Sequence, residues 1–97
     1  MSVIRIGEVQ AKEEMIAALR DFLISIIPLI QASEGCESCQ LLQNQDDATT
    51  FVMIEVWNNV ESHQASVNNI PPEKLGEIRP LLASPPKGAY YGVVAQP

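Results

Sequence analysis

Residues 51–57 constrain this chain more than any other stretch. Phe51-Val52-Met53-Ile54-Glu55-Val56-Trp57 has the β-branched and aromatic content of a strand. Successive side chains on a strand point to opposite faces, so Phe51, Met53, Glu55 and Trp57 share one side and Val52, Ile54 and Val56 the other. Both faces are largely apolar, and both need cover. A domain of this size can supply helices for one face. A second copy of the chain is the simplest cover for the other. The strand ends on the single tryptophan, with the single histidine, His63, six residues further on.

At 97 residues the chain is expected to be one domain spanning 1–97. Its 46% apolar content fits a globular protein, and no apolar run is long enough to cross a bilayer. Met1-Ser2-Val3 leads directly into strand-like sequence without a basic start and apolar core, so a cytoplasmic location is expected. A net charge of −6 with no Lys/Arg cluster argues against nucleic acid or an anionic membrane as partner.

Cys36 and Cys39 spell Cys-x-x-Cys. The redox form of that motif opens a helix, whose dipole lowers the thiol pKa. Here 36–43 has strand character, and residues three apart on a regular strand face opposite ways, so the sulfurs are not expected to meet. A zinc site needs three or four ligands, more than two cysteines and one histidine readily provide. Reduced structural cysteines and no metal site are expected.

Along the chain, 3–9 reads as a first strand. A helix follows from Lys12 to about Ile27, with Met15, Leu19, Phe22 and Ile26 at helical spacing. Pro28 is expected to kink or end it, with 29–32 a short continuation and Gly35 a stop. The second strand is 36–43, a polar hairpin loop is 44–49, and the third strand is 51–57. Asn58 with Glu61 three residues later has the form of a capping box opening a short helix over 60–68. Pro71-Pro72 starts another helix, whose apolar stripe is Leu75, Ile78, Leu81 and Leu82. After a rigid Pro-rich turn, 89–95 reads as the last strand. The order β-α-β-β-α-β predicts an α+β, ferredoxin-like four-stranded antiparallel sheet with helices on one face. The bare apolar face predicts a homodimer with a shared barrel-like core.

Several segments together resemble the antibiotic biosynthesis monooxygenase (ABM) family of dimeric α+β barrels. They are Gly35-Cys36-Glu37-Ser38-Cys39, Gln45-Asp46-Asp47, Phe51 to Trp57, His63-Gln64-Ala65-Ser66, and Pro80-Leu81-Leu82-Ala83-Ser84-Pro85-Pro86. The resemblance implies that small members oxidise aromatic polyketides with molecular oxygen and no metal, flavin or haem, the electron-rich substrate supplying the reducing power. Other members degrade haem or isomerise small sugar phosphates. Haem-degrading relatives carry a histidine at the position of Val67, and the better-studied polyketide oxidase has an asparagine near Met53. Haem degradation is therefore not expected, and Trp57 is the family residue that carries over.

Site expectations follow. Trp57 fills the core at a strand end or lines a substrate pocket. His63 caps a helix or acts as general base, its unperturbed pKa being near neutrality. Glu55, flanked by Met53 and Trp57, needs a partner if buried, and Arg5, Arg20 or Arg79 could supply an ion pair. Tyr90 and Tyr91 point opposite ways, so one of them can line the pocket. The expected site is His63 and Trp57 as catalytic residues, with Trp57, Glu55, Met53, Phe22 and Tyr91 contacting a small aromatic, phenolic or quinol-like substrate and no cofactor. A non-catalytic metabolite-binding module and an oxygen-independent isomerase using His63 and Glu55 are the competing readings.

Overall fold

The computed structural model describes residues 1–96. The apolar third strand is one of the two central strands of a four-stranded sheet. The strands are β1 (Val3–Gln10), β2 (Cys36–Gln43), β3 (Thr50–Trp57) and β4 (Lys87–Tyr91), ordered β2-β3-β1-β4 with every neighbouring pair antiparallel. Helix α1 (Ile16–Gln31) connects β1 to β2. Two short helices, α2 (Val60–Ser66) and α3 (Pro72–Gly76), with 3₁₀ turns after each, connect β3 to β4. This is the ferredoxin-like order expected from the sequence.

The two faces of β3 behave differently. Phe51, Met53, Glu55 and Trp57 are buried beneath the helices, where they join Leu19, Phe22, Leu23, Ile26 and Ile30 of α1 in one core. Val52, Ile54 and Val56 stay half-exposed on the other side, opposite Ile4 and Ile6 of β1. Leu42 and Tyr91 extend that apolar surface. Among the described residues, no helix is long and apolar enough to cross a membrane.

Several boundaries differ from the sequence reading. Helix α1 does not end at Pro28 but continues to Gln31, as the expected continuation over 29–32 has it. The missing hydrogen bond costs about 3 kcal/mol in a fully enclosed helix, but Pro28 and Ile24 lie on the exposed side, where water can reach the freed carbonyl. Continuing the helix also buries Ile30. Lys12 does not begin the α-helix; a 3₁₀ turn at Glu13–Met15 precedes it. The last strand is Lys87–Tyr91 rather than 89–95. Tyr91 pairs with Ile4, next to the start of β1, so residues beyond it soon run out of partner and Val93 and Val94 are exposed.

Asn59, not Asn58, caps α2: its Oδ1 accepts the Ser62 backbone N–H at 2.8 Å. Asn58 packs instead on Gly35 and donates its backbone N–H to the Gly35 carbonyl at 2.8 Å. Gly35 has φ 88°, and a Cβ there would collide with Asn58 and Ser62. This close approach ties the turn before β2 to the start of α2.

The cysteines also need correcting. A bulge between Cys36 and Ser38 inserts an extra residue, so Cys36 pairs with Trp57 and Cys39 with Glu55, both on the helix-facing side. Both thiols are free and half-buried, and Cys39 lies 3.4 Å from the Met53 sulfur. Burial, then the charges of Glu55 and Cys36, push the Cys39 thiol up to about 12. That is the environment of an inert thiol rather than a nucleophile.

Candidate active site

Strand period sends Glu55 and Trp57 to the same buried side, and the Asn59 cap starts α2 immediately after them. His63 then falls one turn into the helix and faces back onto the strand. Its ring meets Trp57 edge-on, with centroids 5.5 Å apart and planes at 73°. Trp57 is fully buried and donates its indole Nε1–H to Glu55 Oε1 at 2.9 Å.

The opposite wall comes from β1 and β4. Arg5 pairs with Glu55 on one side and Tyr90 on the other. The Tyr90 hydroxyl and His63 Nδ1 share a hydrogen bond of 2.5 Å, their rings crossing at 78°. The Arg5 guanidinium carbon lies 5.1 Å from the centre of the Tyr90 ring, a cation–π contact. Gly88 makes this possible, because a Cβ there would overlap the guanidinium.

These elements enclose a cavity of about 180 Å³. His63, Glu55 and Arg5 line it beside Met53, Phe51 and Leu41, and exposed Glu8 and Lys87 border it. A larger hollow of about 910 Å³ lies between α3 and the Pro-rich turn, but Arg79 is its only ionisable wall residue. Convergent acid, base and cation make the smaller cavity the better candidate for chemistry.

Burial raises the Glu55 pKa, while the indole N–H and the nearby Arg5 charge pull it back. Burial, then Arg5, lower the His63 pKa, so the imidazole is neutral at pH 7. Two tautomers satisfy the Tyr90 contact. When Nδ1–H donates to the phenol oxygen, Nε2 keeps the lone pair a general base requires.

Of the residues singled out in the sequence, His63, Glu55 and Met53 line this cavity. Trp57 stands behind His63 and does not line it. Phe22 lies under α3, with the Lys74 ammonium 5.5 Å from its ring centre, and borders a different surface hollow. Tyr91 pairs with Ile4 on the open sheet face and is 51% exposed; its neighbour Tyr90 takes the inward place. Glu55 has no arginine within ion-pair distance; among the described residues the sole such pair is Arg20–Asp21, and the Trp57 indole satisfies Glu55 instead. Arg5 and Gly88 were not singled out as pocket residues. Glycine pairing at Gly7 and Gly88 is the local signal for a bulky neighbour there, but it depends on a cross-strand register that sequence does not print.

A family model described as Antibiotic biosynthesis monooxygenase matches residues 2–78. No curated protein matches the sequence. Among solved structures, NE2512 from Nitrosomonas europaea, a protein of unknown function, is 27% identical with TM-score 0.83, covering 99% of this chain and 92% of that one. Rv0793 from Mycobacterium tuberculosis is 19% identical with TM-score 0.85, covering 99% and 98%. SnoaB from Streptomyces nogalater, a cofactor-independent oxygenase, is 13% identical with TM-score 0.82, covering 98% and 95%. At the identities of the last two, the likeness speaks for the fold alone.

Proposed function

The chain belongs to the antibiotic biosynthesis monooxygenase family, and from that membership we propose that it oxidises a small aromatic or quinol-like molecule with molecular oxygen, using electrons from the substrate itself. The observation that carries the reading is the His63–Tyr90 hydrogen bond at the cavity wall, which orients a neutral imidazole as base. Nε2 of His63 takes the acidic proton of the bound substrate. The resulting anion gives one electron to oxygen, forming a substrate radical and superoxide, which combine to a peroxide. For a phenol with a free para carbon the balance closes as C₆H₅OH + O₂ → C₆H₄O₂ + H₂O: the hydroxyl and the para carbon each lose a hydrogen, one oxygen atom becomes the new carbonyl and the other leaves as water. Trp57 acts from behind, holding His63 edge-on and Glu55 by its N–H.

The same proposal includes a homodimer formed through the open sheet face. Val52, Ile54 and Val56 with Ile4 and Ile6 form an apolar surface that a second copy would cover.

The test is oxygen uptake by metal-stripped protein across a panel of small single-ring phenols and quinols. Uptake that depends on His63 supports the proposal; no uptake with any member ends it. A second reading has a specific basis: Glu55 and His63 line one cavity as a carboxyl and an imidazole, which suffices for an oxygen-independent isomerisation. Turnover that persists under nitrogen and disappears in His63→Ala would favour that reading.

A further inference from the structure

We propose that the cavity selects a single-ring aromatic anion, of benzoate or phenolate type, whose charged group sits on the Arg5 guanidinium. This rests on reading the His63 cavity as the active site and adds its substrate class.

Arg5 is half-buried and lines the cavity, yet no carboxylate lies within 4.0 Å of it; the sole ion pair among the described residues, Arg20–Asp21, is elsewhere. A half-buried cation without a counter-charge is unfavourable unless something completes it. The face of Tyr90 offsets part of that cost but leaves the planar fork of N–H donors unused by any carboxylate. The backbone is shaped for this arrangement: Gly7 and Gly88 pair across β1 and β4, and any side chain at Gly88 would evict the guanidinium.

The other charges facing the cavity do not cancel Arg5. Glu55 on β3 accepts the Trp57 N–H and lies beyond ion-pair distance of Arg5. Glu8 and Lys87 pair across β1 and β4 at the edge of the cavity, and strand alternation sends both side chains to the open sheet face, with Ile6, Ala89 and Tyr91. His63, on α2, is neutral at pH 7. The Arg5 guanidinium is left without a direct carboxylate contact, and its geometry matches a carboxylate by two parallel hydrogen bonds.

Size sets the ring count. The remaining walls, Leu41, Phe51 and Met53, are apolar, and the volume is about 180 Å³. An apolar cavity of ~150 Å³ accepts benzene. One substituted ring fits here, and three fused rings do not.

The test is calorimetric titration of the intact protein under nitrogen at pH 7, with benzoate and its uncharged near-isostere benzamide, then with anthracene-9-carboxylate. Benzoate should bind about tenfold or more tighter than benzamide, the worth of one charge-assisted contact. Anthracene-9-carboxylate should bind more weakly than benzoate. Arg5→Gln should abolish the preference by weakening benzoate far more than benzamide, and Gly88→Ala should likewise weaken benzoate more than benzamide. Equal binding of benzoate and benzamide, no binding of either, a tighter three-ring ligand, or a preference that survives Arg5→Gln would each overturn the proposal. The wild-type comparison decides even if a variant fails to fold. Oxygen uptake, measured separately, keeps the two readings apart: selective binding without turnover removes the oxygenase and leaves the anion site, whereas turnover of neutral quinols without anion preference does the reverse.

Discussion

Trp57→Phe is the most informative single perturbation of the buried site. It keeps an aromatic ring against His63 but removes the N–H that Glu55 Oε1 accepts at 2.9 Å. Glu55 is only 8% exposed, so water cannot readily replace the indole. A hydrogen bond to a charged group contributes about 1.5–3 kcal/mol. In a domain of this size that corresponds to a Tm lowered on the order of 10 °C. The loss should depend on pH. The Glu55 pKa is raised in the folded state above its ordinary 4.5. The folded protein therefore binds the proton more tightly than the unfolded chain, and stability falls as pH rises from 4.5 through the folded value. Because the indole N–H favours the charged form, its removal raises the folded pKa further and deepens that fall. The stability gap between wild type and Trp57→Phe should be smaller at pH 4 and widest at pH 8. The packing lost with the smaller ring contributes equally at both. Urea unfolding at the two pH values measures the gap, and Glu55→Gln in the Trp57→Phe background should narrow it at pH 8. A gap independent of pH, or a double variant no more stable at pH 8 than Trp57→Phe alone, would refute the assignment of Glu55 to the indole.

Three further outcomes are expected. Ile54→Lys puts a charge at the centre of the open sheet face; light scattering at micromolar concentration should show the mass drop from two chains to one. Gly35→Ala forces a side chain into a backbone at φ 88° and against Asn58 and Ser62, and should cost at least about 1–3 kcal/mol in denaturant unfolding. Tyr90→Phe retains the ring beneath Arg5 but frees His63 Nδ1; it should lower stability by about 1 kcal/mol and reduce kcat/KM more than it changes substrate affinity.

The architecture was legible because it rests on periodicity. The double apolar faces of residues 51–57 indicated a central strand, and β3 is central. Boundaries were less legible, since they depend on partners. Pro28 was read as a kink or an end followed by a short continuation because its cost was judged locally, whereas α1 gains burial of Ile30 by continuing. Residues 92–95 have strand-like composition, but β1 offers them no continuing partner. Cys36 and Cys39 were assigned opposite faces by strict alternation, and one bulged residue reversed that. The site was half legible. His63, Glu55 and Met53 were reached by following one strand into its helix, a local inference. Arg5, Gly88 and Tyr90 meet them through two antiparallel registers, and a one-residue slip would exchange Tyr90 for Tyr91.

The central claim is that His63 is a neutral base oriented by Tyr90 through Nδ1. His63 is the single histidine of the chain, so its ring nitrogens give one unambiguous set of NMR resonances. A ¹⁵N-detected pH titration of the ligand-free protein should show half-protonation below the ordinary 6.5, with the neutral ring held as the Nδ1–H tautomer and Nε2 unprotonated. Half-protonation at or above 6.5, or a neutral ring carrying its proton on Nε2, would contradict it.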